Sequence, residues 1–236
     1  MRTTFTACIA SVGLIVVLGT LGCQKPAPKA GDKAASQPEN KAASEVGYGT
    51  LAGHTYTNDY FGLTISIPDD WYIQSREEAE ELSRIGTAAA TAKGANQNLK
   101  AAMEASQTRT FTLVSAFRHP PGTPGLFNSS VIILAERVKH LPGIRSGAEY
   151  CAQMKQGLEM TAMKYEFDAV ESGLKIGSLD AHCLPARMNV GVIEVRQRYY
   201  ATRYKDYVLA LIVSYSNDAE REEAEKILAD IKAGGK

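Results

Sequence analysis

The chain has 236 residues, with 26 Lys and Arg set against 26 Asp and Glu. A formal net charge of zero sets up no global field toward nucleic acid or an acidic surface, so no nucleic-acid partner is expected. The cysteines are Cys8, Cys23, Cys151 and Cys183; none are paired as C-x-x-C, which leaves the common zinc and thioredoxin-type spacings unfilled.

Taken in order, the chain opens with Arg2 as a short positive region. An apolar run follows from about Cys8 to Leu21, centred on Gly13-Leu14-Ile15-Val16-Val17-Leu18. That run falls short of the roughly 20 residues a membrane span needs and suits the apolar part of an export signal. It ends in Gly19-Thr20-Leu21-Gly22-Cys23, which resembles a bacterial lipobox, although Leu stands two residues before the cysteine rather than three. The resemblance implies a signal peptide over residues 1–22 and acyl chains on Cys23 as the membrane attachment, each buried methylene adding about 0.8 kcal/mol. Gln24 after that cysteine is the residue type that favours outer-membrane sorting.

Residues 23–50 are dominated by Lys, Ala, Pro, Ser, Glu and Gly, with Val46 and Tyr48 as the large apolar or aromatic members. Such a composition cannot bury enough apolar surface to offset its ordering entropy, so a tether is expected here. Gly47-x-Gly49-x-x-Ala52 fits a dinucleotide fingerprint formally, but no strand precedes it and no helix follows. The folded domain is expected over residues 51–236.

That domain is organised around residues 56–73. Leu63, Ile65 and Ile67 alternate with Thr64 and Ser66, the period of a half-buried strand. Pro68 keeps Ile67 extended, and Asp69-Asp70 supply turn chemistry that delivers Trp71, the chain's one tryptophan, toward a core. Ser75 and Glu78 form a capping box for a helix carrying Ala79, Leu82 and Ile85, with Gly86 expected to end it. The acidic run Glu77, Glu78, Glu80, Glu81 suits a solvated helix start better than a cation site. Asn96 is expected to cap a second helix bearing Leu99 and Met103.

Beyond it, Thr110 to Arg118 alternates as a strand, with Phe111, Leu113, Ser115 and Phe117 on one face. A Pro- and Gly-rich loop from His119 leads to Ser130–Val138, an apolar run expected at the centre of a sheet. Ser146 and Glu149 form a second capping box, opening a helix whose buried stripe is Tyr150, Met154, Leu158 and Ala162. Phe167–Val170 and Gly177–Val190 read as strands. Val192–Thr202 and Tyr207–Val213 then form a hairpin about Arg203-Tyr204-Lys205-Asp206. Asn217 caps a last helix with Ala224, Ile227, Leu228 and Ile231 facing the core. Hairpins in place of β-α-β units predict an α+β fold, a mainly antiparallel sheet packed between helices.

Tyr60-Phe61-Gly62-Leu63-x-Ile65-x-Ile67-Pro68-x-x-Trp71 resembles the opening of the PsbP-like superfamily. The helix after Ser146, the hairpin about Arg203 and the terminal helix after Asn217 match its later order. The resemblance covers roughly residues 54 to 232 and implies an α-β-α sandwich with docking or assembly roles and no catalytic residues. The segment from Ser75 to Ser106 departs from its shortest members.

No G-x-S-x-G, H-E-x-x-H, Walker A or EF-hand pattern is present, and no cofactor is implied. His54, His119, His140 and His182 are scattered singly. Arg196 and Arg198 share a strand face with Glu194 and Tyr200, either as a solvated face or as a binding surface. In an oxidising compartment Cys151 and Cys183 are allowed to bridge, closing a loop of about 32 residues at roughly 3–4 kcal/mol, or to stay as separate buried thiols. The expectation is a lipid-anchored envelope protein whose domain binds or scaffolds another envelope component. The rivals are a hydrolase assembled from distant residues such as His119 or His182, and a small-ligand carrier.

Overall fold

The computed structural model describes residues 45–90, 106, 108–123, 127–161 and 163–233. The capping and core expectations at Asn96, Leu99, Met103 and Ala162 lie outside them.

A four-stranded sheet holds β1 (Thr50–Ala52), β2 (Thr55–Asn58), β3 (Leu63–Ser66) and β12 (Lys232–Ala233) in that order. The larger, eight-stranded sheet is ordered β4 (Tyr72–Ile73), β5 (Thr110–Phe117), β6 (Ser130–Arg137), β11 (Tyr207–Tyr215), β10 (Ile193–Tyr204), β9 (Leu179–Val190) and β7 (Tyr165–Phe167). The remaining strand, β8 (Glu171–Ile176), pairs with β9 beside that path. Every described pairing is antiparallel. The α+β class therefore holds, with more sheet than a helix-sheet-helix sandwich.

Helix α2 (Gly147–Glu159) covers one face of the large sheet: Tyr150, Cys151, Met154 and Leu158 meet Ile132, Leu134, Leu184, Tyr199 and Ile212. The opposite face is covered by helix α3 (Asp218–Ala229) together with the small sheet. There Ala224, Ile227 and Leu228 join Leu63, Ile65, Trp71, Ile133, Leu209 and Leu211. β6 and β11 lie in mid-sheet between these layers, which is why both read as unbroken apolar runs.

The organising corner forms as the residues dictate: Leu63, Ile65, Ile67 and Trp71 are all buried, and the Trp71 amide donates to the Pro68 carbonyl at 3.0 Å. The Ser75–Glu78 box is reciprocal. Glu78 N donates to Ser75 Oγ at 3.2 Å and Ser75 N to Glu78 Oε2 at 2.9 Å, opening α1 (Arg76–Ala90). Asn217 caps α3 through Glu220 N at 3.0 Å. At α2 the glycine following the cap is required by contact: a Cβ on Gly147 would run into the Ala201 carbonyl of β10.

The structure corrects several expectations. Helix α1 continues through Gly86, one unfavourable residue in a run of helix formers. A bulge between Thr112 and Val114 breaks the β5 alternation, so Val114 and Ala116 join the core on the small-sheet side while Phe117 joins the core under α2. Glu171–Ile176 is a separate strand turned back onto β9 at Gly177, a hairpin hidden by its mixed polarity. Residues 45–50, assigned to the tether by composition, pack on the body. Last, the second layer against the sheet is only partly helical.

Candidate functional site

The end of the large sheet where β6 finishes and the β10–β11 turn lies holds Arg109 and Arg203, the two described arginines with no described carboxylate within ion-pair distance. The N-terminal segment docks there. Glu45 bridges Arg137 Nη2 at 3.0 Å and the Tyr207 hydroxyl at 2.9 Å. Tyr48 packs edge-on against Phe111 at 5.5 Å between centroids, with the Arg76 guanidinium 4.9 Å above its ring. Its carbonyl accepts from the Tyr56 hydroxyl at 2.8 Å, and the Gly47 carbonyl accepts from Asn58 Nδ2 at 3.2 Å. Gly49, with φ +76°, must be glycine: a Cβ there would strike the Tyr56 hydroxyl and the Thr57 carbonyl. This is why a segment of disordered composition is held, and its signal was the pair Val46 and Tyr48.

Next to that strap, Tyr60, Phe61, Tyr204 and Tyr207 interlock edge to face, with centroids 5.0–6.1 Å apart. Lys205 lies 5.2 Å from the Tyr60 centroid and 5.0 Å from that of Tyr204. Its φ of +52° is the one positive value among the described non-glycine residues. Arg203 hands Nη1 to the Ile144 carbonyl at 2.5 Å and Nε to the Lys205 carbonyl at 3.0 Å. Lys139 pairs with Asp206 at 3.0 Å.

Behind this rim Glu136 is fully buried. The Tyr150 hydroxyl donates to its Oε2 at 2.8 Å, while Oε1 has no hydrogen-bond partner. Burial pushes the carboxyl up to about 7, against the pull of Tyr150 and of the nearby Arg109 charge. Arg109 Nη1 lies 2.5 Å from His140 Nε2, so the imidazole must accept there. Burial, then Arg109 and Arg137, hold His140 below the usual imidazole range, which keeps it able to accept.

The far half of the sheet is built differently. Arg198 grips Glu171 with Nη1 at 3.3 Å and Nη2 at 2.5 Å, donates to the Tyr200 hydroxyl at 2.7 Å, and lies 3.3 Å from Glu225. Tyr200 in turn donates to Glu225 at 2.6 Å. Burial first, then that hydrogen bond, raises the Tyr200 phenol far above its ordinary value. Arg198 thus clamps β8 and α3 to the face of β10, while Arg196 pairs with Glu194 at 2.7 Å in a more exposed position.

In the structure Cys151 and Cys183 are free and buried. Cys151 packs with the α2 layer and Cys183 with the α3 layer, so the β-sheet separates their side chains. Burial pushes the Cys151 thiol up to about 12 and Cys183 further in the same direction, so neither carries thiolate at neutral pH. His119 sits in the loop after β5, where Asn128 spans its backbone at 2.8 Å and 2.7 Å; His182 lies on β9, with β6, β11 and β10 between. His119 and His182 thus lie in separate parts of the fold. Glu78 accepts from Tyr72 and caps α1, while Glu80 and Glu81 pair with Arg76 and Arg84. A groove of about 250 Å³ lies beside β5 next to β4, bordered by Tyr48, Tyr56, Arg76 and Leu113. Burial pushes its Tyr56 phenol up to about 12. No described helix is long and apolar enough to cross a membrane.

No family model matches the chain, and no curated protein does. Among solved structures, Mycobacterium tuberculosis LpqN, described as involved in cell envelope biogenesis, is 13% identical. The match covers 72% of this chain and 82% of that one, at a TM-score of 0.38. A Bacteroides thetaiotaomicron protein is 11% identical over 74% of this chain and 46% of its own length, at 0.39. PA94 from Pseudomonas aeruginosa, a protein of unknown function, is 15% identical over 50% of this chain and 73% of its own, at 0.34. These are partial overlaps at low identity, and none of the three is named as PsbP-like.

Proposed function

We propose that the chain is an envelope lipoprotein, anchored through acyl chains on Cys23, whose body binds or scaffolds another envelope component without catalysing a reaction. The observation that carries this is the order of three stretches: an apolar run closed by Leu21-Gly22-Cys23, a Lys-, Ala- and Pro-rich spacer, and a body that begins at Glu45. A spacer of that composition would let a body stand off a bilayer while staying tied to it. The non-catalytic part rests on the thiols pushed up by burial and on histidines held apart by the sheet. We also read the body as PsbP-like. Support comes from the Tyr60-Phe61-Gly62 turn, which buries Phe61, and the Ile67-Pro68-x-x-Trp71 corner, which buries Ile67 and Trp71.

The test is metabolic labelling with an alkyne fatty acid in the native host or in Escherichia coli, with membrane fractionation. The label should sit on wild type and vanish from Cys23→Ala, which should leave the membrane's lipid-modified fraction. Label that persists in Cys23→Ala rejects the anchor.

A further inference from the structure

We infer that the strap end of the body is a contact surface for an anionic lipid headgroup layer, so that the domain rests on its membrane by that end. The inference takes its orientation from the proposed anchor, because the body's first described residue, Glu45, enters there, between Arg137 and Tyr207.

The charge pattern carries the argument. Arg76, Arg84, Arg118, Arg137, Arg145, Arg187, Arg196, Arg198 and Arg221 each have a carboxylate within ion-pair distance. Of the described arginines, that leaves Arg109 and Arg203, and both lie at the strap end. Arg203 is exposed and spends its donors on two backbone carbonyls, which fix its direction but leave its charge uncompensated. Lys205, also exposed, leans on Tyr60 and Tyr204 instead of on an acid. Partly exposed tyrosines beside cations are the composition of a membrane interface, where an amphipathic ring sits at headgroup depth and a cation meets phosphate. The turn also accepts backbone strain to present a lysine: at φ +52° a glycine would sit more easily. A net charge of zero over the whole chain conceals this asymmetry among the arginines.

The experiment uses the full chain with vesicles of phosphatidylcholine alone and of phosphatidylcholine mixed with phosphatidylglycerol. The apolar N-terminal run contributes to both, so the readout is the ratio of the two affinities. Each cation near such a surface adds about fivefold. Arg203→Gln/Lys205→Gly should therefore cut the ratio at least tenfold, and Lys205→Gly alone about fivefold with an unchanged or higher thermal midpoint. Arg196→Gln at the far end should leave the ratio alone. Rising salt should remove the preference. A ratio that survives in the double variant overturns the inference, as does equal binding of free glycerol phosphate that competes with the vesicles, which would make the patch a soluble-phosphate site. The anchor is judged separately by the Cys23 label. A wild-type chain that takes no label in the host yet selects anionic vesicles sinks the anchor alone, and a labelled chain that does not select them sinks this inference alone.

Discussion

The two ends of the large sheet handle charge in opposite ways. At the far half Arg198, Glu171, Tyr200 and Glu225 form a closed set, each satisfied by another, and the product is a clamp between β8, β10 and α3. Among the described residues at the strap end, Arg203 and Lys205 have no carboxylate within ion-pair distance, Glu45 is lent by the entering segment, and Glu136 keeps one buried oxygen without a hydrogen-bond partner. Charges of the first kind have been spent on folding. Those of the second kind are held in place by carbonyls and rings and remain available to something outside the chain.

Breaking the closed set should have the largest effect. Arg198→Leu removes the centre of the clamp and leaves Glu171 and Glu225, both partly exposed, without their shared cation. We expect a loss of about 3 kcal/mol, the lower side of what stranded buried charges cost, because both carboxylates keep some water. Urea unfolding would measure it, and a loss below about 1 kcal/mol would mean that the network is ornamental.

Glu136 gives the next largest effect and a distinct pH signature. Its folded pKa of about 7 lies above the ordinary 4.5, so between those values the folded state holds the proton that the unfolded state has released. Stability from this group is therefore fullest below about pH 4.5 and falls as pH rises to about 7, by about 3 kcal/mol. Glu136→Gln should flatten that slope while keeping an acceptor for Tyr150. A slope equal to wild type would place the titration elsewhere.

The strap is the smallest term. Glu45→Ala should cost about 0.5–1 kcal/mol, since its partners are partly exposed. It should also expose the Tyr48 region to limited proteolysis while leaving the Arg198 clamp intact. Proteolysis unchanged from wild type would show that Tyr48, packed against Phe111, holds the strap alone.

Much of the fold was readable in the residues. Period-two alternation gave β3 and β10, both capping boxes and Asn217 gave the helix starts, and unbroken aliphatic runs gave the central pair β6 and β11. What stayed hidden has physical causes. The β5 bulge shifts register without changing composition. Glu171–Ile176 forms a strand because β9 offers it an edge, not because its own pattern asks for one. The strap looks disordered by composition because two residues, Glu45 and Tyr48, supply most of its docking. The strap-end site was least legible. Arg203, Lys205 and Tyr60 are distant in sequence from Arg109 and Glu136, and only the meeting of four strand ends brings them together. The Arg196–Arg198 face, by contrast, was visible as a pattern, and its arginines turned out to be committed to partners within the chain.

One measurement bears most directly on the idea that this end meets a membrane. Gly143, exposed in the loop beside Arg145, and Val192, fully exposed at the opposite tip of the β9–β10 hairpin, are suited to Gly143→Cys and Val192→Cys labelling with a fluorophore, in chains carrying Cys8→Ser and Cys23→Ser. Cys151 and Cys183 are buried and should resist the reagent. On anionic vesicles the label at 143 should lose access to aqueous iodide while that at 192 keeps it. Shielding at the apolar Val192 tip with none at 143 would contradict the account and turn the domain the other way up.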